Sequence, residues 1–311
     1  MAISRLLIAN RGEVAVRVIR AAAEMGIATV AVYSDDDALA LHVTLADTAE
    51  RLPGAGPAAY LDIEAVIAVA KQHECAAVHP GWGFLSENAA FARRCAEAGI
   101  TFVGPAVATL EQLGDKARAR DLAAAHQVPT LRGSSGAVTI EEARQFLHDL
   151  GPGGAMLIKA IAGGGGRGMR DVTDEAKLES AYKRCQSEAQ GAFGNSAVYV
   201  EERMAPARHI EIQVAGDGSG TVSHLWERDC SIQRSHQKIV EIAPSPVLHA
   251  ELRERLAADA LRLASALNYS GLGTFEFLVD ANKASSPDGR YAFIEANPRL
   301  QVEHTITEEI F

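Results

Sequence analysis

Residues 159–170 read KAIAGGGGRGMR. Glycine loses more backbone freedom on folding than any other residue, roughly 0.5–1 kcal/mol relative to alanine in regular structure. Four in a row mark a place where bare backbone is needed, and phosphate is the usual reason. A P-loop requires G-x-x-x-x-G-K-[ST]. Gly163 and Gly168 have the glycine spacing, but Met169 and Arg170 stand where lysine and a hydroxyl residue belong. The dinucleotide fingerprint is met by Gly163, Gly165 and Gly168, yet it must open a helix, and MRDVT reads as a strand. The loop of Gly163, Gly164, Gly165, Gly166 and Gly168 is therefore expected to join two strands, a hairpin lid whose N–H groups fold over phosphates. Lys159 interrupts the apolar run MLIKAI four residues before the first glycine. Beside such a loop its expected role is a cationic phosphate ligand, against the blander reading of a strand lysine reaching solvent.

A second constellation lies near the end. TFEFLVD and YAFIEANPR flank the turn-rich ANKASSPDG. Folded as a hairpin with Val279 opposite Ala292, they set Glu276 opposite Glu295. Each glutamate then faces away from its apolar neighbours, Phe275 and Phe277 or Ile294 and Ala296. Asn297 follows on the face of Glu295. Facing carboxylates repel unless a cation lies between them. Two glutamates and an asparagine offer only hard oxygen donors, which suits Mg²⁺ held with nucleotide phosphates.

The elements around these residues follow from periodicity. RLLIA, TVAVY, AAVHP and TFVGP are short apolar runs, alternating with helical patterns at 13–26, DIEAVIAVAKQH and ENAAFARRCAEAG. This rhythm predicts a parallel sheet covered on both faces. TLEQLGDKARARDLAAAHQ reads as helix. Residues 131–204 read as a small α/β unit carrying the glycine loop. Beyond it HIEIQVAG, TVSHLWER, GTFEFLVD and RYAFIEAN alternate at period two, with a helix at 251–267, and predict an antiparallel sheet.

Composition sets bounds. The 311 residues suit about two domains. Four scattered cysteines without a C-x-x-C pair suggest reduced thiols. The net charge of −10 argues against a nucleic-acid partner. No apolar run is long enough for a membrane span, and MAISRLLIANRGEV reads as a strand rather than a signal peptide. A cytoplasmic location is expected, or a mitochondrial matrix one with a separate presequence.

Taken in order, IANRGEVAVRVIRA, HPGWGFLSEN, GDKARAR, KAIAGGGGRGMR, RHIEIQV, ERDCSIQRSHQKIVEIAP and NPRLQVEHTITE resemble biotin carboxylase, of the ATP-grasp superfamily. ERDCSIQRSHQK and NPRLQVEH are the specific signals, and the resemblance runs from the first strand to the last residue. It implies an α/β and α+β chain: a Rossmann-like parallel-sheet domain at 1–112, then an ATP-grasp domain at 113–311 with a mobile lid at 131–204 and a central part at 205–311. The family includes the matching domains of acyl-CoA, pyruvate and urea carboxylases.

The resemblance also implies Mg-ATP (Mn²⁺ being an alternative metal) and bicarbonate, with biotin as a carrier-bound substrate. Carboxyphosphate would form first, then carboxybiotin. Lys116 and Lys159 would contact ATP phosphates under the loop. Glu201 and the backbone after it would face the adenine amino edge, while Met169, Met204 and Leu278 pack on the base. His209, Gln233 and His236 would line the ribose and phosphates. Glu276, Glu295 and Asn297 would hold the metals. Lys238, Arg299, Gln301 and Val302 would surround bicarbonate, and Glu303 would be its base. Bicarbonate is a much weaker acid than glutamic acid, whose reference pKa is about 4.3, so Lys238 and Arg299 must bring the two acidities closer. Structural roles are expected for His79, Trp82 and His304. A carboxyl carrier, a carboxyltransferase and a second copy of the chain are the implied partners.

Two departures stand out. Glu202 occupies a place where lysine is frequent in the family, and GPGGAML replaces a glycine–aromatic–proline pattern. HTITEEIF ends inside an expected helix, so family members are expected to continue, with an arginine for the biotin enolate in that continuation. The competing readings are another ATP-grasp ligase, joining amino acids or making carbamoyl phosphate, and a nucleotide-binding remnant without turnover.

Overall fold

The computed structural model describes residues 3–161, 168–234 and 237–310. The expectations for Gly163, Gly164, Gly165, Gly166 and His236 lie outside them. Strands β1 (Arg5–Ile8), β2 (Ala28–Tyr33), β3 (Thr48–Arg51), β4 (Ala77–His79) and β5 (Thr101–Phe102) alternate with helices α1 (Gly12–Glu24), α2 (Leu41–Leu45), α3 (Ile63–Gln72) and α4 (Ala89–Glu97). The sheet is parallel, in the order β3-β2-β1-β4-β5. Leu7 and Val78 point into one buried cluster and Leu6, Ile8 and Ala77 into another, which is why these strands read as unbroken apolar runs. β3, sequence TAER, was not foreseen. It lies at the sheet edge with no buried residue, so nothing in its side chains betrays it.

The helical stretch after Val107 is two helices rather than one, α5 (Val107–Gly114) and α6 (Lys116–Ala125). Asp115 breaks them: its carboxylate accepts from the Ala117 and Arg118 N–H groups at 2.9 and 3.1 Å, capping α6. The cap fixes Lys116 at the first helical position.

Next come α7 (Ile140–Asp149), β6 (Met156–Ala160), β7 (Met169–Val172), α8 (Glu175–Phe193) and β8 (Val198–Glu202). They form a three-stranded sheet, β7-β6-β8, with its own core around Met156, Ile158, Leu178, Cys185 and Val200. β6 and β7 pair antiparallel with Lys159 opposite Met169, and the Ala160 N–H donates to the Gly168 carbonyl at 2.8 Å. The glycine loop thus joins two strands, as expected.

The remaining strands are β9 (Ala207–Asp217), β10 (Val222–Arg234), β11 (Gln237–Ile242), β12 (Ser270–Asp280) and β13 (Tyr291–Asn297), with α9 (Ala250–Ala266) and α10 (His304–Glu308). They build an antiparallel sheet, β11-β10-β9-β12-β13. Ile210, Ile212, Val214, Phe275, Phe277 and Val279 turn to one face and pack with Leu252, Leu256 and Leu263 of α9. Alternation then delivers His209, Glu211, Thr274, Glu276 and Leu278 to the other face.

Glu276 pairs with Glu295 as expected, but Val279 pairs with Tyr291, not Ala292. The register shifts between Glu276 and Phe277. Phe293 and Ala296 both belong to the core, three residues apart. An odd separation cannot keep one face of a regular strand, and the bulge resolves it. Ile294 is consequently only half-buried rather than a core residue. Among the described residues no helix is long and apolar enough to cross a membrane.

Candidate active site

The polar face of the antiparallel sheet concentrates charge. Glu211 is fully buried between Ile210 and Ile212. Arg228 Nε meets its Oε1 at 2.5 Å and Lys238 engages its other oxygen. Arg228 also donates to Gln213 Oε1 at 2.9 Å and to Thr307 Oγ1 at 2.7 Å. Lys238 reaches further, to Glu276 Oε1 at 3.2 Å and Glu303 Oε1 at 3.0 Å. One ammonium therefore serves three carboxylates. Burial works against its charge, but Glu276 and Glu211 outweigh burial and hold its pKa above the usual lysine value.

Glu276 is the next node. His209 Nε2 lies 2.5 Å from its Oε2, and Asn297 Nδ2 donates to its Oε1 at 2.6 Å. Burial pushes the Glu276 carboxyl up, but the hydrogen bond and charge of His209, with Lys238, bring it below the ordinary range. His209 moves the opposite way. Burial lowers it, and the Glu276 hydrogen bond more than restores it, so its pKa is raised. Gln233 Nε2 lies 2.9 Å from His209 Nδ1. Glu295 takes Lys116 Nζ at 3.0 Å. Against the effect of burial, Lys116 holds the Glu295 carboxyl low.

Side-chain cations face both of these glutamates. Glu276, Glu295 and Asn297 nonetheless stand on adjacent strands, presenting two ionised carboxylates and an amide on one face. Such oxygen donors fit a hard divalent cation.

Lys159 contacts the Glu201 carboxylate, which Arg120 Nη1 also holds at 2.7 Å. The Glu201 side chain is therefore committed to two cations, and its backbone is paired with Leu157 on one side and Gly133 on the other. Gly133 makes this possible. A Cβ there would lie 2.8 Å from the Arg120 guanidinium and 2.9 Å from the Val200 carbonyl. Met169 and Met204 are half-buried at strand ends of the three-stranded sheet, and Leu278 is half-buried beside Glu276. A cleft of about 1030 Å³ opens between α6 and the three-stranded sheet, lined by Lys116, Arg120, Gly133, Ile161 and Tyr199. Among the described residues expected to bind nucleotide it shares only Lys116, which meets Glu295 of the charged cluster. The cluster, not the larger void, is where reactive groups converge.

After β13 the chain brings in Arg299, Gln301 and Glu303. Arg299 Nε binds Glu87, and its Nη1 donates to Gln301 Oε1 at 3.2 Å. Gln301 is buried and Val302 exposed. His304 is buried, with Glu13 at 2.8 Å and Glu308 at 2.6 Å on its two nitrogens. His79 accepts from the Gly81 N–H at 3.0 Å, and burial lowers its pKa to about 4. Both are structural, and Trp82 packs against the core of the parallel sheet.

Arg120, Glu211, Arg228, Glu241 and Glu87 join the site only in the folded chain. Only Glu211 left a signal, an acid between two isoleucines as Glu276 stands between two phenylalanines.

Comparison with known proteins identifies the family. Residues 2–110 match the biotin carboxylase N-terminal domain, and residues 115–311 the ATP-binding domain of the carbamoyl-phosphate synthase L chain. Pyruvate carboxylase of Bacillus subtilis is 50% identical over 312 residues, 99% of this chain and 26% of that protein. Human mitochondrial pyruvate carboxylase is 49% identical with the same coverage. The chain thus spans about a quarter of the length of these relatives. Biotin carboxylase from Campylobacter jejuni, solved with β-γ-ATP, superposes with a TM-score of 0.92 at 44% identity, over 99% of this chain and 68% of that one. The biotin carboxylase domain of Hydrogenobacter thermophilus 2-oxoglutarate carboxylase, solved as a dimer with MgADP, ADP and bicarbonate, gives 0.91 at 44% identity, over 100% and 67%. With a parallel-sheet unit, an ATP-grasp unit and matches along its whole length, this chain belongs to the biotin carboxylase family.

Proposed function

We propose that this protein uses ATP and bicarbonate to carboxylate biotin borne on a carrier, the first half-reaction of a biotin-dependent carboxylase. The observation that carries the reading is the Lys238 ammonium, 3.0 Å from Glu303 and 3.2 Å from Glu276. It ties the carboxylate suited to a proton transfer to one suited to a phosphate-bound metal.

The chain's own groups account for the chemistry. Lys116 and Lys159 are the cations for the ATP phosphates, released from Glu295 and Glu201 when stronger anions arrive. Glu276, Glu295 and Asn297 would hold Mg²⁺, which when bound neutralises charge developing on the phosphates. Lys238 and Arg299 place bicarbonate beside Glu303. Their positive charge makes it a better acid, and Glu303 takes its proton as the oxygen attacks the terminal phosphorus. ADP leaves, and the carboxyphosphate so formed gives its carboxyl group to a biotin ureido nitrogen as phosphate leaves and takes up the N–H proton.

A biotin-bearing carrier and a carboxyltransferase are the partners this reaction needs. The names of the relatives favour a 2-oxo acid, pyruvate foremost, as final acceptor. The test is phosphate release from ATP with and without bicarbonate, alongside carboxybiotin formation. Glu303→Gln should cut bicarbonate-dependent turnover by about 100-fold or more, the usual contribution of a general base, with ATP affinity kept within a few-fold. Turnover indifferent to bicarbonate would overturn the reading.

A further inference from the structure

Glu241 lies three residues after Lys238 on β11. On a regular strand that odd separation would put the two side chains on opposite faces. The pairing of β10 with β11 is irregular between Asp229 and Gln233, and such irregularity re-aims side chains. Lys238 and Glu241 are both half-buried, while Gln237, Ile239, Val240 and Ile242 are exposed. Donor atoms of Glu241, Glu303, Glu211 and Cys230 lie within 4.8 Å of one another.

The charges around Glu241 do not balance. From β9 comes Glu211, already held by Arg228 and Lys238. From β10 come Arg228, committed to Glu211, Gln213 and Thr307, and Cys230, whose thiol burial keeps protonated. On its own strand Lys238 serves Glu211, Glu276 and Glu303. Ahead of α10 stands Glu303 itself. Among the described residues Glu241 Oε2 is buried without a hydrogen-bond partner. A carboxylate so placed, facing two like charges, is relieved by holding a proton.

We propose that Glu241 is a positioning residue for the proton transfer: its buried, unpartnered carboxyl holds a proton beside Glu303, and its ionisation makes Glu303 the stronger base. This rests on the reading of Glu303 as the base for bicarbonate. Burial first, then the charges of Glu303 and Glu211, push the Glu241 carboxyl up to about 7. Glu303 and Glu211 thus act on Glu241 as fixed like charges, with donor atoms within 4.8 Å of its own. As pH rises through neutrality, the proton leaves Glu241 for solvent. Glu303 then faces a full negative charge and accepts the bicarbonate proton more readily.

Carboxyl ¹³C resonances of the glutamates, followed against pH in the nucleotide-free protein, test this. One carboxyl should titrate near pH 7, vanish in Glu241→Gln, and move down by about one unit or more in Glu303→Gln, the size of a neighbouring like charge. In bicarbonate-dependent ATP cleavage, the rise in rate through neutrality should flatten in Glu241→Gln, with turnover down about tenfold at pH 8, one pKa unit of lost basicity. The apparent KM for ATP should hold, and Glu241→Asp should keep the slope. A Glu241 that titrates in the ordinary carboxylate range, or is unmoved by Glu303→Gln, would overturn the proposal. Turnover without bicarbonate dependence would instead sink the role of Glu303 as base, and the resonances would still decide where Glu241 titrates.

Discussion

Glu276 and Glu295 each stand between two apolar residues, yet their partners differ. Glu276 is 2% exposed and shared by His209, Asn297 and Lys238. Glu295 is more open and meets Lys116. Glu276→Gln removes a buried charge on which His209 and Lys238 both rely, so it should weaken Mg²⁺-dependent ATP use and also lower stability. Glu295→Gln should weaken metal dependence with less loss of stability. Magnesium titrations of ATPase activity, with thermal melts of each variant, check this. Wild-type metal dependence in both would remove these residues from the metal role. Glu241 gives a pH prediction of its own. Its pKa in the folded protein, about 7, stands above the ordinary carboxylate value. The folded state therefore binds the extra proton between the two values, and stability falls as pH rises through that window. Glu241→Gln should raise Tm above pH 7 by about 2 °C and leave it unchanged near pH 4.

At the scale of elements, the break between α5 and α6 positions a nucleotide ligand. Asp115 caps α6 and so sets the direction in which Lys116 leaves its first turn. Asp115→Ala should cost about 1 kcal/mol, the usual value of an N-cap. It should also raise the KM for ATP more than it lowers kcat. Asp115→Asn, which can still cap, should restore both. Failure of the asparagine variant would mean that the charge of Asp115, not its cap, matters. The bulge beside Ile294 is the other decisive local feature. It lets Phe293 and Ala296 reach the core while Glu295 and Asn297 stay on the polar face.

For the molecule as a whole, side chains far apart in sequence tie the parallel-sheet unit to the end of the chain. Glu13 binds His304, Arg17 binds Glu308 at 3.0 Å, and Glu87 binds Arg299. Only the last touches a group proposed to hold bicarbonate. Glu87→Gln should loosen the Arg299 guanidinium and raise the KM for bicarbonate several-fold, with the KM for ATP within about twofold. A change in both constants alike would point to general damage instead of a positioning role.

What the sequence determined by itself was whatever depends on periodicity and local steric need. Unbroken apolar runs specified the parallel sheet, period-two alternation specified the antiparallel one, and the glycine run with its flanking strands specified a hairpin. The place of Glu276 on the polar face followed from alternation around Phe275 and Phe277, whereas its facing of Glu295 depends on the bulge at Ile294. Other features depended on registers and partners set across the fold. Strand β3 has no apolar signal because it lies at the sheet edge, paired with β2 and with no buried residue. Arg120 meets Glu201 across 81 residues and Glu87 meets Arg299 across 212, and no local pattern encodes such distant pairs. Glu241 was hidden for a related reason. Its separation from Lys238 has the wrong parity for a shared face, and only the irregular pairing of β10 and β11 turns both toward Glu303.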